Sequence, residues 1–312
     1  MALDKKNEKC NIRFMRPRQI DDEKLVGMEI VEEIIKSVLH TGFVEGSLPL
    51  SLLIVAGSGT GKSKTINQFK SDGIHIQNDL TTFDLLGLFS KDEADVIHHI
   101  IVPDLNLPLS HRSTVSKLMI ATLLGSTSER IKIFVTKKGG ERVEHRHRAI
   151  GLISAITPTV FDKNARKFAE LGFIRRMPPI FYEPGERTVN LILKFIERDK
   201  VSFLQLPEKD VQAEPDKPIA VEIPRKFNEA IRKTGLVFAA HLNNIIQQPT
   251  WRHDKMTKST ETPLTPISPN LYLRSLVRGH ALLCGRKVVR PTDIHFLDEF
   301  VSFTDRARPR SI

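Results

Sequence analysis

Residues 50–63 read Leu50-Ser51-Leu52-Leu53-Ile54-Val55-Ala56-Gly57-Ser58-Gly59-Thr60-Gly61-Lys62-Ser63. The first six are typical of a strand that is buried on both faces, as in a parallel sheet. The next eight fit the relaxed form of the phosphate-binding loop pattern, with Ala56 where the strict pattern has glycine. The following stretch, 64–69, reads as a helix. Because strand, glycine-rich loop and helix occur together, the sequence predicts a nucleoside triphosphate site and not a flexible linker.

Each residue type in this loop has a physical role in holding phosphates. Glycines allow backbone N–H groups to turn toward phosphate oxygens. Lys62 is expected to reach the β- and γ-phosphates, and the Ser63 hydroxyl is expected to ligate magnesium where the next helix begins. The predicted cofactors are therefore ATP and Mg²⁺. The predicted binding residues are Ala56, Gly57, Ser58, Gly59, Thr60, Gly61, Lys62, Ser63 and Lys64.

A second apolar stretch, 98–103, is followed directly by a carboxylate, Asp104. We predict that Asp104 lies on the magnesium side of the site; the alternative is that it only ends the strand in a turn. Leu105 comes next, where ATP-hydrolysing enzymes of this kind usually carry the glutamate that activates water. Asn106 can position a water but cannot accept its proton, so we expect slow hydrolysis unless another group supplies the base.

Length and composition limit the class of protein. A chain of 312 residues can bury one large core or two unequal ones. No apolar run approaches the roughly 20 residues of a membrane-spanning helix, and residues 1–9 lack the apolar segment of a secretory signal. The two cysteines, Cys10 and Cys284, show no metal-site spacing, and we predict free thiols. We expect a cytoplasmic protein that makes no membrane contact.

The net charge of +10 and the pI of about 9.6 favour polyanionic partners such as nucleic acid. A basic surface that binds nothing is equally compatible with charge alone.

Two histidine-containing stretches, 98–99 and 144–148, invite a comparison with metal sites. Since neither has carboxylate or thiol partners at ligand spacing, we assign no transition metal and interpret His98 and His99 as strand packing.

Hydrophobic periodicity predicts alternating elements around the loop. Strands are expected at 73–77, 96–102 and 149–156, helices at 26–39, 82–89 and 113–124, and a hairpin that turns at 137–140. This alternation predicts an α/β fold, a parallel sheet with helices on both faces. Beyond Glu183 helices dominate, and they are expected at 188–198, 224–247 and 271–283, with exposed connections at 207–218 and 251–269.

Together these motifs resemble the AAA+ ATPase superfamily, in particular its minichromosome maintenance helicases and MoxR-type ATPases. Besides the loop, the resemblance rests on Leu25–Glu29, on the strand that ends at Thr157, on 171–181 and on the helical segment 268–294. It implies a P-loop AAA+ core followed by a small all-α lid. The implied organisation is a flexible arm at 1–20, a nucleotide-binding domain at 21–185, a lid at 186–304 with a mobile loop near 250–269, and a tail at 305–312.

The resemblance also implies roles for three further residues. Thr157 matches a polar sensor of the γ-phosphate, although a threonine before proline also simply ends a strand. Arg176 matches an arginine that reaches the nucleotide of a neighbouring subunit, which implies a homo-oligomeric ring or spiral; the alternative is an unpartnered surface arginine. Arg274 matches a nucleotide-sensing arginine of the lid, and the lid is expected to end near Thr304 after a helix capped by Thr292-Asp293.

Lys137 and Lys138 lie at the tip of the predicted hairpin. In the helicase branch a hairpin at this place projects into a DNA channel, so the resemblance implies phosphate contacts. The alternative is an edge hairpin that its lysines protect from aggregation.

From the sequence we expect an ATP-binding protein. We expect it to be an ATPase that acts on DNA as an oligomer, with a replication, helicase-like or mobile-element role. One alternative is a slowly hydrolysing or non-hydrolysing switch that loads or regulates a partner machine. Another is a MoxR-like ATPase that remodels partner proteins.

Overall fold

The computed structural model describes residues 27–78, 97–110, 133–136, 142–145, 149–197, 209–210, 217–247, 250–252, 255–257 and 263–312. These residues form an α/β structure around one parallel sheet, which confirms the α/β part of the predicted fold. Within these ranges, no helix has the length and apolar character needed to cross a membrane.

Six parallel strands form the central sheet. They are β1 (Leu52–Val55), β2 (Ile74–Ile76), β3 (His99–Val102), β4 (Gly151–Ile156), β5 (Pro179–Glu183) and β6 (Arg310–Ser311). Their order across the sheet is β6-β5-β1-β4-β3-β2. β1 lies near the centre, where Ile54 pairs with Ala155 on one side and Ile180 on the other. Strands β1, β3 and β4 are entirely buried, as expected for parallel strands covered by helices.

Nine α-helices are described. They are α1 (Glu29–His40), α2 (Lys62–Asn67), α3 (Asn106–Ser110), α4 (Pro158–Glu170), α5 (Phe173–Arg176), α6 (Glu186–Glu197), α7 (Asn228–Ile246), α8 (Ile267–Leu283) and α9 (Pro291–Phe303). Helices α7, α8 and α9 pack on one another around the rings of Phe238, Tyr272 and Phe300.

Helix α8 joins this helical group to the sheet. It packs along α1 so closely that a Cβ at Gly279 would overlap the Ser37 carbonyl oxygen. Near the start of α8, the Tyr272 hydroxyl donates a hydrogen bond to the Ser51 carbonyl oxygen at 2.9 Å, at the amino end of β1. One hydrophobic core therefore runs from the sheet into the C-terminal helices.

Most predicted elements that fall within the described residues are present. The helix before the loop, strands β1 to β4 and helices α6 to α8 form close to their predicted bounds. Helix α2 is displaced from its predicted range 64–69, because it begins at Lys62 and the chain is a short strand by Phe69. The predicted helices at 82–89 and 113–124, the segment 25–26 and the arm 1–20 lie outside the described residues.

Helix α4 and strands β5 and β6 were not predicted. Helix α4 has Pro158 in its first turn and buries Phe161, Ala165 and Phe168, which follow a helical spacing. Strand β6 comes from the segment 305–312, expected to be a tail, and pairs with the end of β5.

The last helix begins differently from the prediction. It starts at Pro291, and Asp293 occupies its third position, where a side-chain oxygen accepts a hydrogen bond from the Arg290 backbone N–H at 2.6 Å. The expected cap at Thr292-Asp293 is therefore shifted, because proline favours the first helical position. The helix ends at Phe303, and Thr304 is its C-cap.

Three short two-stranded pairs complete the described backbone. Residues 133–136 pair antiparallel with 142–145, which confirms the predicted hairpin. Residues 250–252 pair antiparallel with 255–257 inside the segment expected to be a mobile loop. Residues 69–70 pair in parallel with 209–210.

Candidate functional site

Three predicted site segments lie along one edge of the sheet. The loop follows β1, Thr157 follows β4, and Asp104 comes two residues after β3. These strands are neighbours in the order β1-β4-β3, and all three are parallel. Because ligands of open α/β sheets bind beyond the carboxyl ends of the strands, this edge is the candidate site.

The loop between β1 and α2 adopts a conformation that requires glycine. Gly59 and Gly61 have φ angles of 78° and 81°, in the left-handed region that side chains with a Cβ disfavour. The Thr60 hydroxyl donates to the Gly57 carbonyl oxygen at 2.9 Å, which closes the turn. The strand, loop and helix predicted from the motif are therefore present in this order.

Lys62 lies inside this loop. Its ammonium group donates to the Gly57 carbonyl oxygen at 2.9 Å, and the residue is 8% exposed. Burial lowers the pKa of Lys62, while the negative charge of Asp104 opposes this shift. The structure thus brings a partly desolvated cation from the loop and the carboxylate after β3 into the same electrostatic environment.

Oxygen atoms converge beside this cation. The Ser63 hydroxyl donates to the Pro103 carbonyl oxygen at 3.3 Å, so the start of α2 lies against the segment that carries Asp104. Asp104 is exposed, and one of its oxygens accepts a hydrogen bond from the Asn106 backbone N–H at 2.9 Å. Hydroxyl and carboxylate oxygens are the ligands that magnesium prefers.

Asn106 presents an unsatisfied acceptor at this edge. Its side-chain Oδ1 is buried and has no hydrogen-bond partner within the described structure. A buried acceptor without a donor costs free energy, and functional sites are one place where such groups occur. A water or another donor bound beside Asp104 would satisfy it.

Leu105 points away from this site. The side chain is 1% exposed and belongs to the hydrophobic core, while its backbone N–H donates to the Ala155 carbonyl oxygen at 2.8 Å. Position 105, where the sequence resemblance would place a water-activating glutamate, is therefore a core position here. A carboxylate at 105 would be desolvated unless the backbone moved.

Thr157 is the N-cap residue of α4, but its side chain makes no capping hydrogen bond. Thr157 is half-buried at the end of β4. Its backbone carbonyl oxygen accepts a hydrogen bond from the Phe161 N–H in the first turn of α4. Its hydroxyl is not used by the helix. Next to it, Ser154 donates to the Val102 carbonyl oxygen at 2.6 Å and ties β4 to β3.

Tyr182, which we did not predict as a site residue, also reaches the loop. Phe181 pairs with Val55, so the next residue of β5 lies beside the start of the loop. Burial raises the pKa of the Tyr182 hydroxyl above its ordinary range, and the neighbouring Thr60 side chain partly opposes this. Only the strand order reveals this proximity, and no local sequence signal does.

Arg176 and Arg274 are not at this edge. Arg176 is the last residue of α5 and precedes β5, on the opposite side of the sheet from the loop of its own chain. Arg274 donates to the Asn228 side-chain oxygen at 2.8 Å, and two residues before it Tyr272 contacts the amino end of β1. Lys137 and Lys138 lie outside the described residues.

The histidines of β3 pack as predicted. The Nε2 of His99 donates to the Leu50 carbonyl oxygen at 3.1 Å, and its Nδ1 lies 2.6 Å from that of His98. Burial lowers the pKa of His99 well below 6.5, and the neighbouring His98 adds to this. His99 is therefore neutral and structural.

A separate polar cluster joins α1, α8 and α9. The two ring nitrogens of His280 contact Asp293 at 2.6 Å and Glu33 at 3.0 Å, and Arg286 donates to Asp293 at 2.7 Å. His280 also stacks on Phe296, with 4.0 Å between ring centroids. Burial disfavours the charged imidazolium, but the two carboxylates outweigh it and raise the pKa of His280.

Cys284 lies at the edge of this cluster, near His280 and Asp293, a grouping that resembles a metal site. However, Cys284 is disulfide-bonded, so it offers no thiolate, and Asp293 is already bonded to two cationic side chains. The predicted free thiol is therefore wrong for Cys284. Cys10 lies outside the described residues.

Comparison with known proteins identifies no relative of this chain. No protein-family model matches the chain, and no curated protein matches it in sequence. Function is therefore inferred from the geometry of the site.

Proposed function

We propose that the protein binds ATP with magnesium at the carboxyl edge of β1, β4 and β3. The observation that carries this proposal is the approach of Lys62 and Ser63, in a glycine-dependent loop, to the segment that holds Asp104. A glycine-rich loop with a lysine suits the phosphates, and a hydroxyl beside a carboxylate suits the metal.

The groups present fit this ligand. Lys62 would hold the β- and γ-phosphates, Ser63 would ligate magnesium, and Asp104 would orient a water on the metal. The unsatisfied Asn106 oxygen supports a bound water at the same place. When bound, the magnesium would offset phosphate charge.

We further propose that this sheet is an AAA+ core and that α7, α8 and α9 are its helical lid, as the sequence resemblance implies. On this reading the protein assembles with copies of itself and acts on DNA. Arg176 lies on the far side of the sheet from its own loop, which suits an arginine that serves the nucleotide of a neighbouring subunit. The net charge of the protein, +10, suits a nucleic acid substrate.

The test has two stages. The first is ATP binding in the presence of magnesium, where Lys62→Ala is expected to abolish measurable affinity while the folded state persists. The second is steady-state ATP hydrolysis with and without single-stranded and double-stranded DNA. Turnover that DNA stimulates, and that both Lys62→Ala and Arg176→Ala abolish, supports an oligomeric DNA-dependent ATPase. Wild-type affinity in Lys62→Ala would overturn the nucleotide site.

The buried position of Leu105 favours a second candidate function, a nucleotide switch that turns over slowly or not at all. Without a carboxylate at 105, no described residue beside Asp104 is placed as a base for the attacking water. Tight ATP binding without DNA-stimulated turnover would support the switch. A change in oligomeric state on ATP binding would then be its output.

A further inference from the structure

Two arginines one turn apart on α8, Arg274 and Arg278, have no acidic partner among the described residues. Within this part of the chain, Arg274 donates to the neutral Asn228 side chain, at 2.8 Å. The Nε of Arg278 is buried without a hydrogen-bond partner in the described parts of the chain. Burial lowers the pKa of Arg278, and the positive charge of Arg274 lowers it further.

Four other arginines of the described structure, Arg166, Arg232, Arg286 and Arg306, are paired with carboxylates. Arg286 bonds Asp293, and on the surface Arg166 bonds Glu170, each at 2.7 Å. The acid near the start of α7, Glu229, is already bonded to Arg232 at 2.7 Å. Arg274 and Arg278 therefore repel each other without local compensation, a situation that a bound anion would relieve.

The described contact of α8 with β1 lies at the end of the strand opposite the nucleotide loop. Tyr272, on the same helix, contacts Ser51 at the amino end of β1, whereas the loop begins at Ala56 beyond its carboxyl end. Five residues of extended chain separate these points by about 16 Å. Arg274 instead contacts Asn228 at the start of α7, directly after a turn in which Arg225 and Lys226 are both exposed.

We propose that Arg274 and Arg278, together with Arg225 and Lys226, bind the phosphate backbone of nucleic acid. Planar guanidinium groups match phosphate oxygens in a bidentate geometry, and a group of cations suits the successive phosphates of a polyanion better than a single phosphate. Contacts of this kind carry no base sequence information, so the binding is expected to be independent of sequence. The surface is separate from the ATP site, and the proposal does not depend on ATP binding.

The experiment measures the affinity of the full chain for a labelled single strand and a labelled duplex over a range of salt concentrations. The test variant is Arg274→Ala/Arg278→Ala. The control, Arg166→Ala/Arg306→Ala, removes the same charge from arginines paired with Glu170 and Asp162. Both are checked for wild-type thermal unfolding.

The test variant is expected to lose about tenfold or more in affinity, and the slope of log K against log salt is expected to fall by about two, close to one for each phosphate contact. The control is expected to keep the wild-type slope. An equal loss in both variants, or none in either, would overturn the proposal. So would displacement of the nucleic acid by polyglutamate at equal charge concentration, which would assign the surface to an acidic protein. Arg278→Lys keeps the positive charge but loses the bidentate guanidinium geometry. Its affinity for nucleic acid is expected to lie between those of the wild type and the double variant.

Discussion

Two polar clusters of the molecule use their side chains differently. In the cluster of Glu33, His280, Asp293 and Arg286, every member bonds another charged side chain, and Asp293 is fully buried. At the carboxyl edge of the sheet, the partners of Lys62 and Ser63 among the described residues are backbone carbonyl oxygens, and Asp104 is exposed.

The difference separates a structural network from a binding site. A buried ionic network stabilises a fold only when its members satisfy one another, since an isolated buried charge is costly. A site for an external ligand needs the opposite, groups whose strongest partner is not another side chain. The unsatisfied oxygen of Asn106 is an example of this second arrangement.

The largest expected effect is the loss of the structural network. Asp293→Ala is expected to lower the free energy of unfolding by about 3–5 kcal/mol, because it leaves Arg286 without its carboxylate and removes one of the two carboxylates that His280 contacts. Urea unfolding measures the change, and Asp293→Asn serves as a milder variant if the alanine variant does not fold. The comparison variant is Asp104→Ala, which loses one exposed capping contact and is expected to cost about 1 kcal/mol. Equal costs at both positions would remove the distinction between the clusters.

The second effect concerns ligand binding. Asp104→Asn is expected to weaken magnesium-dependent ATP binding by about 10–100-fold, the usual range when a group that orients a metal ligand is lost. Its thermal unfolding is expected to stay near that of the wild type. Titration calorimetry with and without magnesium measures the loss, and Asp162→Asn, an exposed aspartate on α4, is the matched control. Unchanged affinity in Asp104→Asn would remove Asp104 from the metal site.

The smallest effect is a pH dependence of stability. Because the folded state raises the pKa of His280 above 6.5, its ion pairs contribute fully below that pH and are lost as the pH rises through the folded-state pKa. The stability difference between wild type and His280→Gln is therefore expected to be largest under acidic conditions and to shrink as the pH increases.

Urea unfolding between about pH 5 and about pH 8 measures this trend. The control is His295→Gln, which removes an exposed histidine from α9, the helix that carries Asp293. Buried His99 has the opposite effect on the pH dependence of stability. Because its pKa is lowered in the folded state, it destabilises the fold as the pH falls. A difference for His280→Gln that grows toward alkaline pH would show that His280 is neutral in the folded protein.

Local sequence patterns predicted the elements that build the site. The apolar run of β1, the glycines at positive φ and the helix after Lys62 all follow from residues within a few positions of one another. Helix α4 was missed although Phe161, Ala165 and Phe168 have helical spacing. Strand β5 was missed because it is short and begins at a proline, which locally disfavours a strand.

The sequence by itself determined the phosphate-loop pattern, the carboxylate after β3 and the apolar residue at 105, because these depend on residue type and near neighbours. Only the tertiary structure decided that Asp104 influences Lys62, that Leu105 faces the core and that Tyr182 adjoins the loop. It also decided that Arg274 lies toward the opposite end of β1 and that His280 joins two carboxylates from α1 and α9. Strand order and helix packing bring together residues distant in sequence, and no local period encodes those distances.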